Sequence, residues 1–166
     1  MLIIKYPVVR HTLSSLEAAS FSRVNYDNPS FSRSFGRIPA TTPNGVIGGM
    51  VAKLTGDYEV GIYNGSGTVF GIFLNDASSA PFENTPAIAS GKIAVMTNGG
   101  EFETDIYETV NEDGSALGTA WSAAIGAPLY ASDFGLLTTE DTGSGIVGHV
   151  TKTPSANNIF LGFKLV

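Results

Sequence analysis

The chain has 166 residues with 43% apolar content, which suits one folded domain plus a short appendage, and its lack of cysteine excludes disulfide bonds and thiolate metal sites. Its formal net charge of −6 argues against a nucleic-acid-binding body, and no apolar run approaches the ~18 residues of a membrane-spanning helix. We therefore expect neither nucleic acid nor a membrane as a partner.

Glycine content and charge both change near residue 36. Residues 1–35 contain no glycine, and all 20 glycines lie in the remainder of the chain. Residues 1–37 carry one lysine and four arginines against two acids, a formal charge of +3, whereas residues 38–166 carry four lysines against 13 acids, a formal charge of −9. The change divides the chain into an N-terminal arm, residues 1–37, and a glycine-rich β domain, residues 38–166.

The first predicted elements lie in the arm. A strand is expected over residues 2–6, where Pro7 ends it, and a short helix over residues 13–21, where Thr12 or Ser14 would cap the start. Beyond the helix, aromatic residues recur every four or five positions, which fits neither a helix nor a strand and predicts an irregular extended chain.

The aromatic and arginine residues of the arm have the composition of interface hot spots. They are Phe21, Arg23, Tyr26, Phe31, Arg33, Phe35 and Arg37. We expect these side chains to contact another chain, because an arm without a regular apolar period rarely forms a core alone. The alternative is that they pack on their own β domain or cross to a neighbouring copy.

From residue 46 to residue 108, short β-branched and aromatic runs alternate with turn residues, which is typical of antiparallel hairpins in a sandwich or small barrel. Strands are predicted over residues 46–54, 58–63, 68–74, 92–97 and 101–107. Glycine-containing turns separate several of them, and the proline-containing stretch 75–90 is expected to be a surface loop.

The last third of the chain is less regular. Residues 116–127 are rich in alanine and glycine around Trp121, and this composition fits either a short helix or a tightly packed strand. Closing strands are predicted over residues 129–137, 146–152 and 159–166, and the last one alternates large apolar residues with others. The prediction is therefore a mainly β protein, an antiparallel β-barrel or sandwich with an extended N-terminal arm.

Residues that could carry chemistry are few, and each has a simpler structural explanation. His11 and His149 have no sequence neighbour at metal-ligand spacing. The sequence Asp-Thr-Gly-Ser at 141–144 matches the short signature of aspartic proteases, but its polar flanks and the lack of a second copy favour an exposed turn.

Acidic residues alternate along one predicted strand, at Glu101, Glu103 and Asp105. A carboxylate pair or a cation site on one strand face would have this spacing. A solvated face opposite the apolar residues of a half-buried strand explains it more simply, because no basic residue is nearby in sequence. We expect no catalytic residue, no metal site and no cofactor.

Four segments carry a similarity to a known family: residues 48–54, 69–77, 91–95 and 100–105. Together they resemble the β domain of the capsid decoration, or cement, proteins of tailed bacteriophages, over roughly residues 40–108. The resemblance implies a non-enzymatic virion protein on the outer capsid surface, commonly a homotrimer, that stabilises the shell by bridging copies of the major capsid protein. The N-terminus has no secretory signal pattern, so synthesis in the host cytoplasm is expected.

Two other classes remain open from the sequence. A carbohydrate- or receptor-binding module of a virion fibre would present aromatic side chains of the body as a platform. The candidates for that platform are Tyr58, Tyr63, Tyr107, Tyr130 and Trp121. A small hydrolase would use Asp141 or the carboxylates around Glu101.

Overall fold

The computed structural model describes residues 2–6, 18–21, 23–25, 45–57, 59–74, 77–78, 93–108, 125–155 and 157–166. These residues are mainly β and form no helix, which confirms the predicted fold class at that level. The strands are β1 Leu2–Tyr6, β2 Ala18–Phe21, β3 Arg23–Asn25, β4 Gly45–Val46, β5 Val51–Gly56, β6 Glu59–Ile62, β7 Val69–Phe73, β8 Ala77–Ser78, β9 Ile93–Met96, β10 Glu101–Thr104, β11 Pro128–Ala131, β12 Leu137–Thr138, β13 Gly148–Lys152 and β14 Leu161–Leu165.

Two curled six-stranded sheets make up most of the described chain. Sheet I has the strand order β1-β10-β14-β13-β11-β12, and sheet II has the order β2-β9-β7-β5-β6-β3. β4 and β8 form a separate two-stranded pair. Neighbouring strands are antiparallel, as predicted, except that β3 runs parallel to β6.

The larger hydrophobic cluster lies between the two sheets. Sheet II contributes the cross-strand partners Ile72 and Met96, and sheet I contributes the cross-strand partners Phe102 and Phe163. The Phe102 and Phe163 rings stack with their centroids 5.5 Å apart. Burial of these apolar side chains is the main force that holds sheet I against sheet II.

A second cluster lies on the opposite face of sheet II. Phe73 follows Ile72 along β7 and Val95 precedes Met96 along β9, so side-chain alternation places Phe73 and Val95 on the other face. The described members of this cluster are Val46, Met50, Ala52, Val60, Ile62, Phe73, Val95, Ile106 and Leu136. Sheet II is therefore covered on both faces.

Seven predicted strands are confirmed, because β1, β6, β7, β9, β10, β13 and β14 each lie within a predicted range. The alternation in β14 is also confirmed, since Leu161, Phe163 and Leu165 are buried while Lys164 is exposed. The chain end is paired through Val166 N, which donates to Val147 O at 3.2 Å.

Two predicted strands are wrong because each is interrupted by a turn. The range 46–54 divides into the end of β4 and the start of β5, and Met50 N donates to Ile47 O at 3.0 Å within the turn. The range 129–137 is a hairpin, in which β11 and β12 are joined by residues 132–136. Gly135 N donates to Ser132 O at 2.9 Å inside that hairpin turn.

The remaining predictions fall partly outside the described residues. The helix predicted over residues 13–21 is wrong at its end, because Ala18–Phe21 form strand β2, and residues 13–17 lie outside the described ranges. Within the predicted loop 75–90, Ala77–Ser78 form β8. Most of the undecided stretch 116–127 also lies outside the described residues.

Candidate functional site

Two residues predicted to form an interface lie on the strands that end sheet II. Phe21 is in β2, which pairs with β9, and Arg23 is in β3, which pairs with β6 at the other end of the strand order. One residue separates Phe21 from Arg23, so their Cα atoms are at most about 7 Å apart. In a flat sheet of this order the two edges would be about 24 Å apart. Sheet II therefore curls until its edges meet along β2 and β3.

We call β2 and β3 together the closing segment, and the gap between β9 and β6 that it fills the closing slot. In the slot, Phe21 is the register partner of Ile93 in β9, and Arg23 is the register partner of Glu59 in β6. β2 pairs only with β9 and β3 pairs only with β6, so two consecutive parts of one short segment connect the two edges of the sheet.

The other five predicted interface residues, Tyr26, Phe31, Arg33, Phe35 and Arg37, lie outside the described residues. Their stretch of chain is bounded on both sides by paired strands, β3 before it and β4 after it. The role of all seven residues as an interface remains a prediction. Sequence reasoning missed the closing segment because Ala18–Phe21 is short and poor in β-branched residues, and because its partners are far away in sequence.

The Asp-Thr-Gly-Ser segment is an exposed turn that is hydrogen-bonded to β11. Asp141 Oδ1 accepts a hydrogen bond from Gly143 N at 3.0 Å, which is the local bond of an Asx turn. Thr142 Oγ1 donates to Ala131 O at 2.6 Å, and Ser144 Oγ accepts from Ala131 N at 2.9 Å. Two hydroxyl groups of the turn therefore satisfy both backbone groups of the buried residue Ala131.

Removing one of these hydroxyls tests the structural role of the turn. Ser144→Ala leaves the Ala131 N–H without this acceptor, and we expect the free energy of unfolding to fall by about 1–2 kcal/mol. Ser66→Ala is the matched control, because the Ser66 hydroxyl is exposed and its loss is expected to cost less than about 0.5 kcal/mol. Urea denaturation measures both values, and equal effects would contradict the structural role.

A groove of about 650 Å³ is lined by Gly65, Asp133, Glu140, Asp141 and Thr142. Asp133 also lies near the buried Tyr63 side chain, and burial first and the Asp133 charge second raise the pKa of Tyr63 above its usual value. Among the described residues, no three histidine, cysteine or acidic side chains are placed to hold a metal ion.

The acidic residues of β10 are only partly exposed, so the predicted solvated face needs correction at one position. Glu103 Oε1 lies 2.8 Å from Lys152 Nζ, and the Glu103 side chain is 14% exposed. On the other face of the strand, Phe102 and Thr104 are fully buried, as the alternation predicted. Glu103 thus belongs to a cross-strand ion pair whose partner is distant in sequence.

Burial removes two of the five aromatic side chains that were predicted to form a sugar-binding platform on the body. Tyr63 is 3% exposed and Tyr107 is 6% exposed, and the Tyr107 hydroxyl donates to Ile159 O at 2.8 Å. Tyr130 is partly buried in β11, while Tyr58 and Trp121 lie outside the described residues. Neither Tyr63 nor Tyr107 presents a ring face that a sugar can stack on.

The comparisons with known proteins leave the family open. No protein-family model matches the chain, and no curated protein matches its sequence. Within the described ranges there is no helix with the length and hydropathy needed to cross a bilayer.

Proposed function

We propose that the protein is a non-enzymatic virion protein that binds the outer surface of a phage head and stabilises the capsid by bridging major capsid protein subunits. The proposal rests on the resemblance of the β domain to capsid decoration proteins and on one structural observation. That observation is the position of five of the seven aromatic and arginine residues, which lie in sequence between the paired strands β3 and β4.

The segment between β3 and β4 is attached to a paired strand at each end, and this attachment favours its binding to the capsid. β3 ends at Asn25 and β4 begins at Gly45, and the chain between them contains Phe31 and Phe35. A segment that is fixed at both ends loses less conformational entropy on binding than a free tail does. Each aromatic side chain that becomes buried on the capsid contributes about 1.5–3 kcal/mol, so a few of them offset the ordering of the segment.

Charge supports the same division of roles. The body, residues 38–166, has a formal charge of −9, which keeps separate copies apart in solution, whereas residues 1–37 have a formal charge of +3. Arginine beside aromatic residues is the composition that dominates protein interfaces. The proposal includes self-association into a trimer, which the family resemblance suggests, and synthesis in the host cytoplasm before attachment to the shell.

Co-sedimentation with expanded, undecorated heads of the phage that encodes the chain tests this function. We expect the full chain to bind saturably and to raise the temperature at which the heads rupture. A Phe31→Ser and Phe35→Ser double variant removes two anchors, and at about 1.5 kcal/mol each we expect affinity to fall about 100-fold or more.

The matched control for that variant is Leu54→Ser with Ile125→Ser. It also removes two large apolar side chains, but from body positions that are 50% and 70% exposed. We expect this control to bind like the unmodified chain. Equal binding by all three proteins would move the contact to the β body, and no binding by the unmodified chain would overturn the proposed function and direct attention to glycan binding.

A further inference from the structure

The turn that joins β6 to β7 contains an Asn-Gly pair, and two hydrogen-bond donors hold the side chain of its asparagine. Lys53 Nζ donates to Asn64 Oδ1 at 2.5 Å, and Ser66 Oγ donates to the same oxygen at 3.0 Å. Lys53 Nζ also donates to Ser66 O at 3.1 Å, so one ammonium group on β5 binds two residues of the turn. Asn64 and Gly65 are exposed, so water reaches both of them.

We propose that Asn64 is a site of self-modification, in which the Gly65 backbone nitrogen attacks the Asn64 side-chain amide and water completes the conversion to aspartate or isoaspartate. A bond forms between Gly65 N and Asn64 Cγ, and the bond between Cγ and Nδ2 breaks. The Nδ2 amino group leaves with the Gly65 amide proton as ammonia, and a cyclic imide remains. Water then adds to one of the two imide carbonyl carbons and opens the ring.

Glycine at position 65 favours this attack. Gly65 has φ of +80°, and an added Cβ there would overlap the Asp133 carboxylate. The attacking nitrogen therefore has no side chain of its own residue in the way. The same contact places a carboxylate directly beside Gly65, where it can accept the amide proton as the new bond forms. Because the nitrogen and Cγ belong to neighbouring residues, the step is a ring closure and needs no encounter between separate molecules.

The two donors favour the transition state over the ground state. As the nitrogen attacks, Cγ becomes tetrahedral and Oδ1 gains negative charge. The Lys53 ammonium and the Ser66 hydroxyl already donate to this oxygen, and a hydrogen bond from a charged donor strengthens as its acceptor becomes more negative. The turn thus carries the donor arrangement of an oxyanion hole, although its exposure to water makes each donor weaker than in a buried site.

A second Asn-Gly pair in the same chain lacks these donors and provides an internal comparison. Asn98 is exposed, and Gly99 after it has φ of +66°. Among the residues that the structure describes, none donates a hydrogen bond to the Asn98 side chain. The two pairs share the same reacting groups and differ in the donors, so Asn64 is expected to react faster than Asn98 in the folded protein.

The reaction changes the charge of the turn. Ring opening leaves a carboxylate in place of the Asn64 amide, facing the Lys53 ammonium and beside the groove that Gly65 and three acidic residues line. One negative charge is added, so the formal charge of residues 38–166 goes from −9 to −10. The isoaspartate product also adds a methylene group to the main chain of the turn. The turn between β6 and β7 therefore becomes more acidic as the protein ages, without the action of an enzyme.

Peptide mapping by mass spectrometry tests the proposal on the full chain, which is incubated at mildly alkaline pH in buffer and in guanidinium chloride. In the denaturant both pairs lose their contacts, so the ratio of the Asn64 rate to the Asn98 rate gives the effect of sequence alone. We expect this ratio to be at least about tenfold higher in the folded protein. A folded ratio that equals or falls below the denatured one overturns the proposal. A stable loss of ammonia that joins the Asn64 and Lys53 peptides overturns it as well.

Lys53→Met tests the role of the charged donor, because methionine keeps an unbranched side chain but has no ammonium group. We expect the Asn64 rate in the folded variant to fall about tenfold and the rate in denaturant to stay the same. The matched control is Lys164→Met, which removes an exposed lysine from β14 and is expected to leave the Asn64 rate unchanged.

An Asn64 rate in folded Lys53→Met that equals or exceeds the rate of the unmodified chain overturns the proposal, because it shows that the Lys53 hydrogen bond does not assist the attack. Where Lys53→Met does not fold, the comparison of Asn64 with Asn98 in the unmodified chain decides the question. None of these measurements uses phage heads, so failure of the self-modification is distinguished from failure of the proposed function.

Discussion

Phe163→Ala is expected to lower the free energy of unfolding by about 3–5 kcal/mol, because the phenylalanine side chain is fully buried and its removal leaves a cavity between the sheets. Phe163 lies in β14, which pairs with β10 on one side and β13 on the other. Its ring stacks on Phe102 at a centroid distance of 5.5 Å, so the substitution also removes an aromatic pair. A loss of this size is a large part of the total stability of a domain.

Urea denaturation of Phe163→Ala and of Lys164→Ala provides the comparison. Lys164 is the next residue of the same strand, but its side chain is exposed, so its removal is expected to change stability by less than about 0.5 kcal/mol. Where Phe163→Ala does not fold, Phe163→Leu is expected to fold with a loss of about 1.5 kcal/mol. Equal stabilities of the Phe163 and Lys164 variants would show that β14 does not face the core.

Strands that show a clear local pattern of apolar residues were predictable from the sequence. β14 was found because large apolar residues alternate along residues 161–165, and alternation directly reports a half-buried strand. The hairpin of β11 and β12 was missed, because the apolar residues on both sides of its turn read as one continuous run. Ser132 and Gly135 were the available turn signal, and Gly135 in particular marks the place where the chain reverses.

Features that depend on register between distant strands were not predictable. The ion pair of Glu103 with Lys152 joins positions 49 residues apart, and only the pairing through β14 brings their strands together. The closing slot is a stronger example, since Phe21 pairs with Ile93 and Arg23 pairs with Glu59. A single sequence contains the local preference of each segment but not the curvature that brings the two edges of sheet II together.

The same limit applies to the candidate site. The turn at residues 141–144 was correctly predicted from its own residues, because an Asx turn is a local structure. Its attachment to Ala131 depends on where β11 passes, so the two hydroxyl bonds could not be inferred from sequence. Of the seven predicted interface residues, only Phe21 and Arg23 fall within the described residues, and both lie in the closing segment.

Gly135→Ala is expected to lower the free energy of unfolding by about 2–5 kcal/mol, as the sum of two effects. Gly135 has φ of +70°, a backbone conformation that costs a residue with a side chain about 1–2 kcal/mol. An added Cβ would also overlap Ile62 Cγ2 and lie 3.0 Å from Tyr63 O, and overpacking of this kind costs about 1–3 kcal/mol. The turn cannot move away freely, because Gly135 O accepts a hydrogen bond from Val51 N at 2.8 Å.

Gly143→Ala separates the cost of the backbone conformation from the cost of overpacking. Gly143 has nearly the same φ, +76°, but an added Cβ there has no atom within 4 Å, so only the backbone cost of about 1–2 kcal/mol is expected. The difference between the two variants in urea denaturation, about 1–3 kcal/mol, measures how tightly the β11–β12 turn is packed on sheet II. Because this turn belongs to sheet I and its contacts belong to sheet II, equal losses would mean that the two sheets do not meet at Gly135.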